Sequence, residues 1–156
     1  MMDERRVRSS AKALVLHEGR LLAIRISDGG EEFYIMPGGG QQAGELLPEA
    51  VAREVAEETG LRVSVGDVAF VIEGAQGESS HRVDLVFRCE LAGEAPETVR
   101  HADANQTGYA WLEVATLNRA PLYPSRLRRP IMRLAAGMPQ PVYLGNENMG
   151  DPEITG

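Results

Sequence analysis

Residues 39–61 read GGQQAGELLPEAVAREVAEETGL, running from Gly39 through Glu45, Arg53-Glu54 and Glu57-Glu58 to Gly60-Leu61. From about Leu46 to Thr59 the pattern is helical. Leu47, Val51 and Val55 recur at i, i+4 and i+8, Pro48 suits a first turn, and Gly60 is a natural stop. On such a helix Glu54 lies under Glu57 and Glu58, at i+3 and i+4, with Arg53 beside them and Glu49 a turn earlier. The spacing predicts three carboxylates on one patch opposite the apolar stripe, although each like-charged pair costs roughly a few tenths of a kcal/mol in an exposed helix. A solvated acidic face balanced by Arg53 accounts for the charge but not for Gly38-Gly39-Gly40 directly ahead of it. There the missing side chains let backbone carbonyls and amides approach a ligand. Carboxylates with a carbonyl form a hard-oxygen site suited to Mg²⁺ or Mn²⁺.

The segments outside this stretch mix strands with a second helix. Ala13–His17 and Leu21–Ile26 around Glu18-Gly19-Arg20 read as a β-hairpin, and Phe33–Met36 as a short strand stopped by Pro37. Arg62–Ile72 and His81–Leu91 read as strands joined by the Gly- and Ser-rich loop Glu73–Ser80. Ala92–Asn105 is polar and irregular, and Tyr109–Leu112 a further strand. A last helix is expected over Ser125–Ala136 with Leu127, Ile131 and Leu134 inward, and residues 137–156 as a loop-like tail. The expected class is α/β with a mixed sheet.

At fixed spacing, the central stretch resembles the Nudix box, G-x5-E-x7-R-E-U-x-E-E-x-G-U with U aliphatic. Gly39, Glu45, Arg53, Glu54, Val55, Glu57, Glu58, Gly60 and Leu61 fill every constrained position. The resemblance implies a single Nudix hydrolase domain over residues 1–156, folded as an α/β/α sandwich. It also implies hydrolysis of a diphosphate linkage in a nucleotide-like small molecule, with Mg²⁺ or Mn²⁺ as cofactor. By the same resemblance Glu54, Glu57 and Glu58 would hold the metal, with the Gly38 carbonyl as a further ligand. Arg53 would orient Glu57 or another box carboxylate, and Glu45 would brace the loop. Glu57, Glu58, Arg53 and Glu54 are thus the expected catalytic set, acting by direct attack of water on phosphorus. Several branches of the family add a glutamate from a late loop. Here Asn105 stands at about that position, so the base is Glu58, Asp103 or Glu78. A nucleotide-sensing module that does not turn its ligand over and an isomerase on the same scaffold are the alternatives.

Composition narrows the partners. The 156 residues are 43% apolar and 25% charged, near globular averages. No apolar run approaches the roughly 20 residues of a membrane-spanning helix, and a formal charge of −7 disfavours a nucleic acid duplex. The single cysteine, Cys89, allows no internal disulfide, and the cytoplasm is the expected address. Homodimerisation is common among proteins of this kind and is carried as an expectation.

Arg25, Tyr34, Gly39 and Gly40 are the candidate substrate-binding residues, since they flank or form the glycine turn; Phe33 is near them. His17, His81 and His101 lack metal-ligand spacing. Tyr109 and Trp111 are expected in the core, and Arg126, Arg128 and Arg129 on a solvated helix face. No subfamily mark fixes the substrate; Gln76 stands where many ADP-ribose pyrophosphatases carry proline. Tyr143–Asn148 is too patterned for a plain tail, and its packing is open, on a neighbour or across a pocket.

Overall fold

Strand β1 (Val7–His17) turns Ala11, Ala13 and Val15 to one side of a sheet and Leu14 to the other, and this period of two sets up both cores of the molecule. A computed structural model describes residues 2–76, 79–94 and 105–154. The chain continues through β2 (Arg20–Asp28), β3 (Glu31–Ile35), β4 (Gly38–Gly40), helix α1 (Leu47–Thr59), β5 (Leu61–Gly74) and β6 (His81–Glu94). It ends with β7 (Gln106–Glu113), β8 (Leu122–Tyr123), α2 (Arg128–Ala135) and β9 (Tyr143–Asn146). The sheet runs β8-β3-β2-β1-β6-β5-β9, with β4 on β1 and β7 on β2. The β1–β6, β3–β8 and β5–β9 pairs are parallel and the others antiparallel, so the sheet is mixed, as expected.

Each face of the sheet is covered by one helix. Val51 and Val55 of α1 pack with Ala11, Ala13, Val15, Leu22 and Phe87. On the far face Leu127 and Ile131, from the α2 region, pack with Leu14, Phe70, Ile72 and Val86. Full burial of one such valine contributes about 1.5–3 kcal/mol, so a charge at Val55 would detach α1 from the sheet. The start of α1 is secured by Glu49, whose Oε1 accepts the Leu46 N–H at 2.8 Å. Its end is set by Gly60 at φ 73°, whose N–H reaches the Ala56 carbonyl at 2.9 Å.

Several boundaries depart from the sequence reading. The last helix does not run evenly over Ser125–Ala136: a 3₁₀ turn, Ser125–Leu127, precedes α2. Pro130 has no N–H to close an α-helical bond back to Arg126, which starts the regular helix later. The tail is not all loop, because β9 adds a strand alongside β5. Nor is Arg128 on a solvated face. It is fully buried, its Nε donates to the Leu122 carbonyl at 2.8 Å, its guanidinium lies 5.0 Å from the Tyr123 ring centroid, and it pairs with Glu153. Trp111 packs against the α1-side core, whereas Tyr109 is exposed. No helix among the described residues is long and apolar enough to cross a membrane.

Candidate functional site

Strand β4 brings the glycines to α1. It pairs with β1 so that Gly38 faces Lys12, Gly39 faces Ala11 and Gly40 faces Ser10. Gly38 has φ 142°, and a Cβ there would lie 2.2 Å from the Ala11 carbonyl oxygen, so both conformation and space demand glycine. At Gly39 the neighbour is a side chain of α1: a Cβ would come within 2.8 Å of the Glu54 carboxylate. Gly40 has open space around its Cα, and its contribution is the carbonyl that accepts Arg53 Nη2 at 3.1 Å.

The carboxylates do not lie opposite the apolar stripe. Glu54 and Glu58 point inward, only 8% and 2% exposed, in the same buried arc as Ala50, Val51 and Val55, while Glu57 sits at its edge. A solvated acidic face therefore does not describe this helix. Two glutamates can be buried because specific donors meet them. Arg53 Nη1 donates to Glu54 Oε1 at 3.0 Å and to Glu57 Oε2 at 3.3 Å. The same guanidinium is anchored on its other side by Glu45, with Nε to Oε2 at 2.7 Å and Nη2 to Oε1 at 3.0 Å. Glu45 also accepts the Gln42 N–H at 3.0 Å. The Arg53 bonds, with that amide, hold its carboxyl down at about 2, so it is ionised across the working range. Glu45 thus ties the loop to Arg53, and Arg53 in turn bonds Glu54 and Glu57.

Glu58 is placed differently. Its Oε1 accepts the Gly38 N–H at 2.8 Å and its Oε2 the Gln106 Nε2 at 3.0 Å. Burial nevertheless pushes its pKa up to about 7, against the lowering effects of the Gly38 amide, Lys12 and Gln106. Gln106, at the start of β7, is a residue that sequence reasoning passed over; it adjoins Asn105, whose carbonyl accepts the Ser27 N–H. The other candidates for a base, Asp103 and Glu78, lie outside the described residues, as does His101.

The residues suit a hard divalent cation by the chemistry of their donors: three carboxylates on one helix beside a glycine strand whose lack of side chains leaves room for them. Among the described residues no three acidic, histidine or cysteine side chains are already gathered around one point. Arg53 bonds Glu54 and Glu57 through one oxygen each, while Glu58 is held separately by Gly38 and Gln106.

Beside this cluster, on the α2 side of the sheet, opens a cleft of about 920 Å³. Its walls include Lys12, Phe33, Ile35, Met36, Asp84 and Tyr123, and it is closed on one side by residues 147–151. Of the patterned segment Tyr143–Asn148, residues 143–146 form β9 alongside β5, and Glu147 and Asn148 line the cleft. Val142 and Glu147 bond to Val71 and Glu73 of β5 through the backbone, and Asn146 and Asn148 accept the N–H groups of Ala75 and Gln76. Glu147, buried at 8% exposure, accepts Ser125 N at 2.7 Å, Ser125 Oγ at 2.9 Å and Arg126 N at 2.9 Å. Of the four expected substrate residues, Gly40 lines a smaller groove with Arg8, Ser10 and Arg82. Gly39 is in the carboxylate cluster. Arg25 and Tyr34 are cross-strand partners outside the walls of both hollows. Arg25 lies 3.8 Å from Glu32, and Tyr34 packs toward the α2-side core, while Phe33 and Ile35, the alternate residues of β3, reach the cleft instead.

The NUDIX domain family model matches residues 6–134. A MutT-like protein of Streptomyces ambofaciens is 38% identical over 104 residues; the match covers 67% of this chain and 62% of that relative's length. Among solved structures, a NUDIX hydrolase from Nitrosomonas europaea superposes with a TM-score of 0.71 at 17% identity, covering 88% of this chain and 94% of the other. A MutT protein from Methanosarcina mazei Go1 superposes at 0.65 with 26% identity, covering 87% and 98%.

Proposed function

The chain belongs to the NUDIX family, and from that premise we propose that it is a Mg²⁺- or Mn²⁺-dependent hydrolase of a diphosphate linkage in a nucleotide-like small molecule. What supports this most is the junction of two buried glutamates, Glu54 and Glu58, with the Glu45–Arg53 pair and the glycine strand. Glu54, Glu57 and Glu58 would hold the cation, with the Gly38 carbonyl as a further ligand. A divalent cation bound there would neutralise diphosphate charge and make water a competent nucleophile near neutral pH. Arg53 fixes the side chains of Glu54 and Glu57 from the loop side. Glu58 takes the proton of the attacking water, since burial raises its affinity for a proton against the lowering effects of the Gly38 and Gln106 hydrogen bonds. Water attacks phosphorus directly, with no covalent enzyme intermediate. The cleft beside Lys12 receives the remainder of the substrate. A cytoplasmic address, with Cys89 buried and unbridged, and a homodimer complete the proposal.

The test is incubation with nucleoside triphosphates, nucleotide sugars, ADP-ribose and dinucleoside polyphosphates in Mg²⁺, Mn²⁺ or EDTA. Cleavage that needs the metal and disappears in the Glu57→Gln, Glu58→Gln protein is the expected result. Binding without cleavage throughout would move the assignment to a nucleotide sensor, and a trapped phosphoenzyme would refute direct attack.

A further inference from the structure

Asp84, near the start of β6, is only 4% exposed and has no part in the diphosphate chemistry proposed above. It stands between Ser10 of β1 and Ile72 of β5 in the sheet, and its side chain lines the large cleft. One carboxylate oxygen, Oδ2, accepts Arg82 Nε at 2.9 Å, which fixes the plane of the group. The other, Oδ1, is enclosed and meets no donor among the described residues. Proteins seldom leave a buried acceptor in this condition unless a ligand or water supplies the donor.

The neighbouring walls indicate what kind of donor fits. Phe33, Ile35, Met36 and Tyr123 give the cleft apolar walls for a base to lie against, and of the carboxylates that line it Asp84 is the one with a buried oxygen that meets no donor among the described residues. Lys12 lines the same cleft and faces Gly38 across the β1–β4 pair, so the cleft adjoins the glutamate site. A nucleotide held at the glutamates has this slot beside it for its base. We propose that Asp84 is a specificity-determining residue whose Oδ1 accepts an amino hydrogen of the nucleobase, so that the cleft selects adenine, guanine or cytosine over uracil and thymine. This deepens, and rests on, the nucleotide-hydrolase assignment. In uracil and thymine the one ring N–H lies between two keto oxygens, and a carboxylate facing that edge repels both.

Asp84→Asn gives the decisive test. Arg82 Nε still requires an acceptor, so the amide oxygen takes the place of Oδ2 and the NH₂ turns toward the cleft. The group offered to the base changes from acceptor to donor. Calorimetric binding of AMP, GMP, CMP, UMP and dTMP requires no turnover, and cleavage of the matching triphosphates in Mg²⁺ and Mn²⁺ runs beside it. Wild type is expected to favour an amino-bearing base by about tenfold to a hundredfold. Asp84→Asn should reverse that order toward UMP and dTMP, and Asp84→Ala should flatten it, both with a cooperative unfolding transition like that of wild type. Equal binding of amino and keto bases by wild type, the same order in folded Asp84→Asn as in wild type, or no nucleotide binding at all would overturn the assignment of Asp84. The expected preference in binding with no cleavage of any triphosphate would support Asp84 and count against the hydrolase.

Discussion

Replacing Glu58 by glutamine should abolish a pH dependence of stability that the metal-free wild type carries. The folded protein holds this carboxyl at about 7 because it is buried, whereas its ordinary value is 4.5. A raised folded pKa means that the native state binds the proton more tightly than the unfolded chain does. The stabilisation is complete below about pH 4.5, shrinks as pH rises and is gone above about 7. At about 1.4 kcal/mol per unit, the difference between those limits is on the order of 3 kcal/mol. Gln106 can serve both forms of Glu58: its Nε2 donates to the carboxylate at 3.0 Å, and its Oε1, buried without a partner among the described residues, can accept from the acid once the amide turns over. Glutamine at 58 keeps the shape and does not titrate. Urea unfolding in EDTA at half-unit steps from pH 4.5 to 8 gives the wild-type minus Glu58→Gln difference, in which other titrating groups cancel. That difference should move by about 3 kcal/mol against wild type as pH rises. A difference constant to within a few tenths would refute the claim that burial controls Glu58.

Metal binding should be linked to the same proton: the midpoint for Mg²⁺- or Mn²⁺-induced thermal stabilisation should tighten by up to about tenfold per unit as pH rises toward 7 and level off above it. A pH-independent midpoint would remove Glu58 from the ligand set. Gly39→Ala should cost at least about tenfold in kcat/KM, because its Cβ would come within 2.8 Å of the Glu54 carboxyl, whereas Gly40→Ala has open space and should stay within about twofold. Steady-state kinetics of the pair decide this, and equal losses would contradict the geometry. Glu147→Ala strands three donors at Ser125 and Arg126 and should lower stability by about 2–3 kcal/mol, with hydrogen exchange rising first over residues 143–154. Exchange unchanged in that segment would show that Glu147 does not fasten it.

What the sequence disclosed and what it concealed differ in range. Helix α1, its stop at Gly60 and the Arg53–Glu57 bond lie within a few residues of one another, so spacing alone reveals them. The direction of Glu54 and Glu58 was misread because amphipathic logic assigns charge to solvent. Here the glycine strand supplies the Gly38 amide, and Arg53 the guanidinium, that make inward carboxylates tolerable. Asp84 escaped notice for a related reason. Val83, Leu85 and Phe87 mark one face of β6 as apolar, and alternation then assigns Asp84 to water, but this sheet is covered on both faces. The tail strand β9 pairs with β5 across some seventy residues of sequence, and four residues with no alternating pattern carry no local signal of it. Glu147 is invisible for the same reason, since its three donors are more than twenty residues away.

The fixed spacings of the central stretch can each be read as a closure that the geometry needs. Glu45 lies six positions after Gly39, enough for the chain to leave β4, turn, and bring its carboxylate to the same Arg53 nitrogen that the Gly40 carbonyl meets. Eight more reach Arg53 on the second turn of α1, where one guanidinium can span from Glu45 and Gly40 on the loop to Glu54 and Glu57 on the helix. Lysine could not do this, because its single ammonium lacks the planar fork that bonds Glu45 twice while facing two further carboxylates. Glu58 lies outside the guanidinium's reach and is held by the glycine strand instead. The result is an acidic cluster in which two carboxylates are restrained by a cation that belongs to the protein and the third is restrained by neutral donors. The third is also the one whose proton affinity burial raises. A cluster in which all three met Arg53 would be more stable and less able to accept either a proton or a divalent cation. The division of partners between Arg53 and the Gly38–Gln106 pair therefore leaves Glu58 as the one carboxylate of the three that Arg53 does not bond, the property on which the proposed metal-assisted hydrolysis would draw.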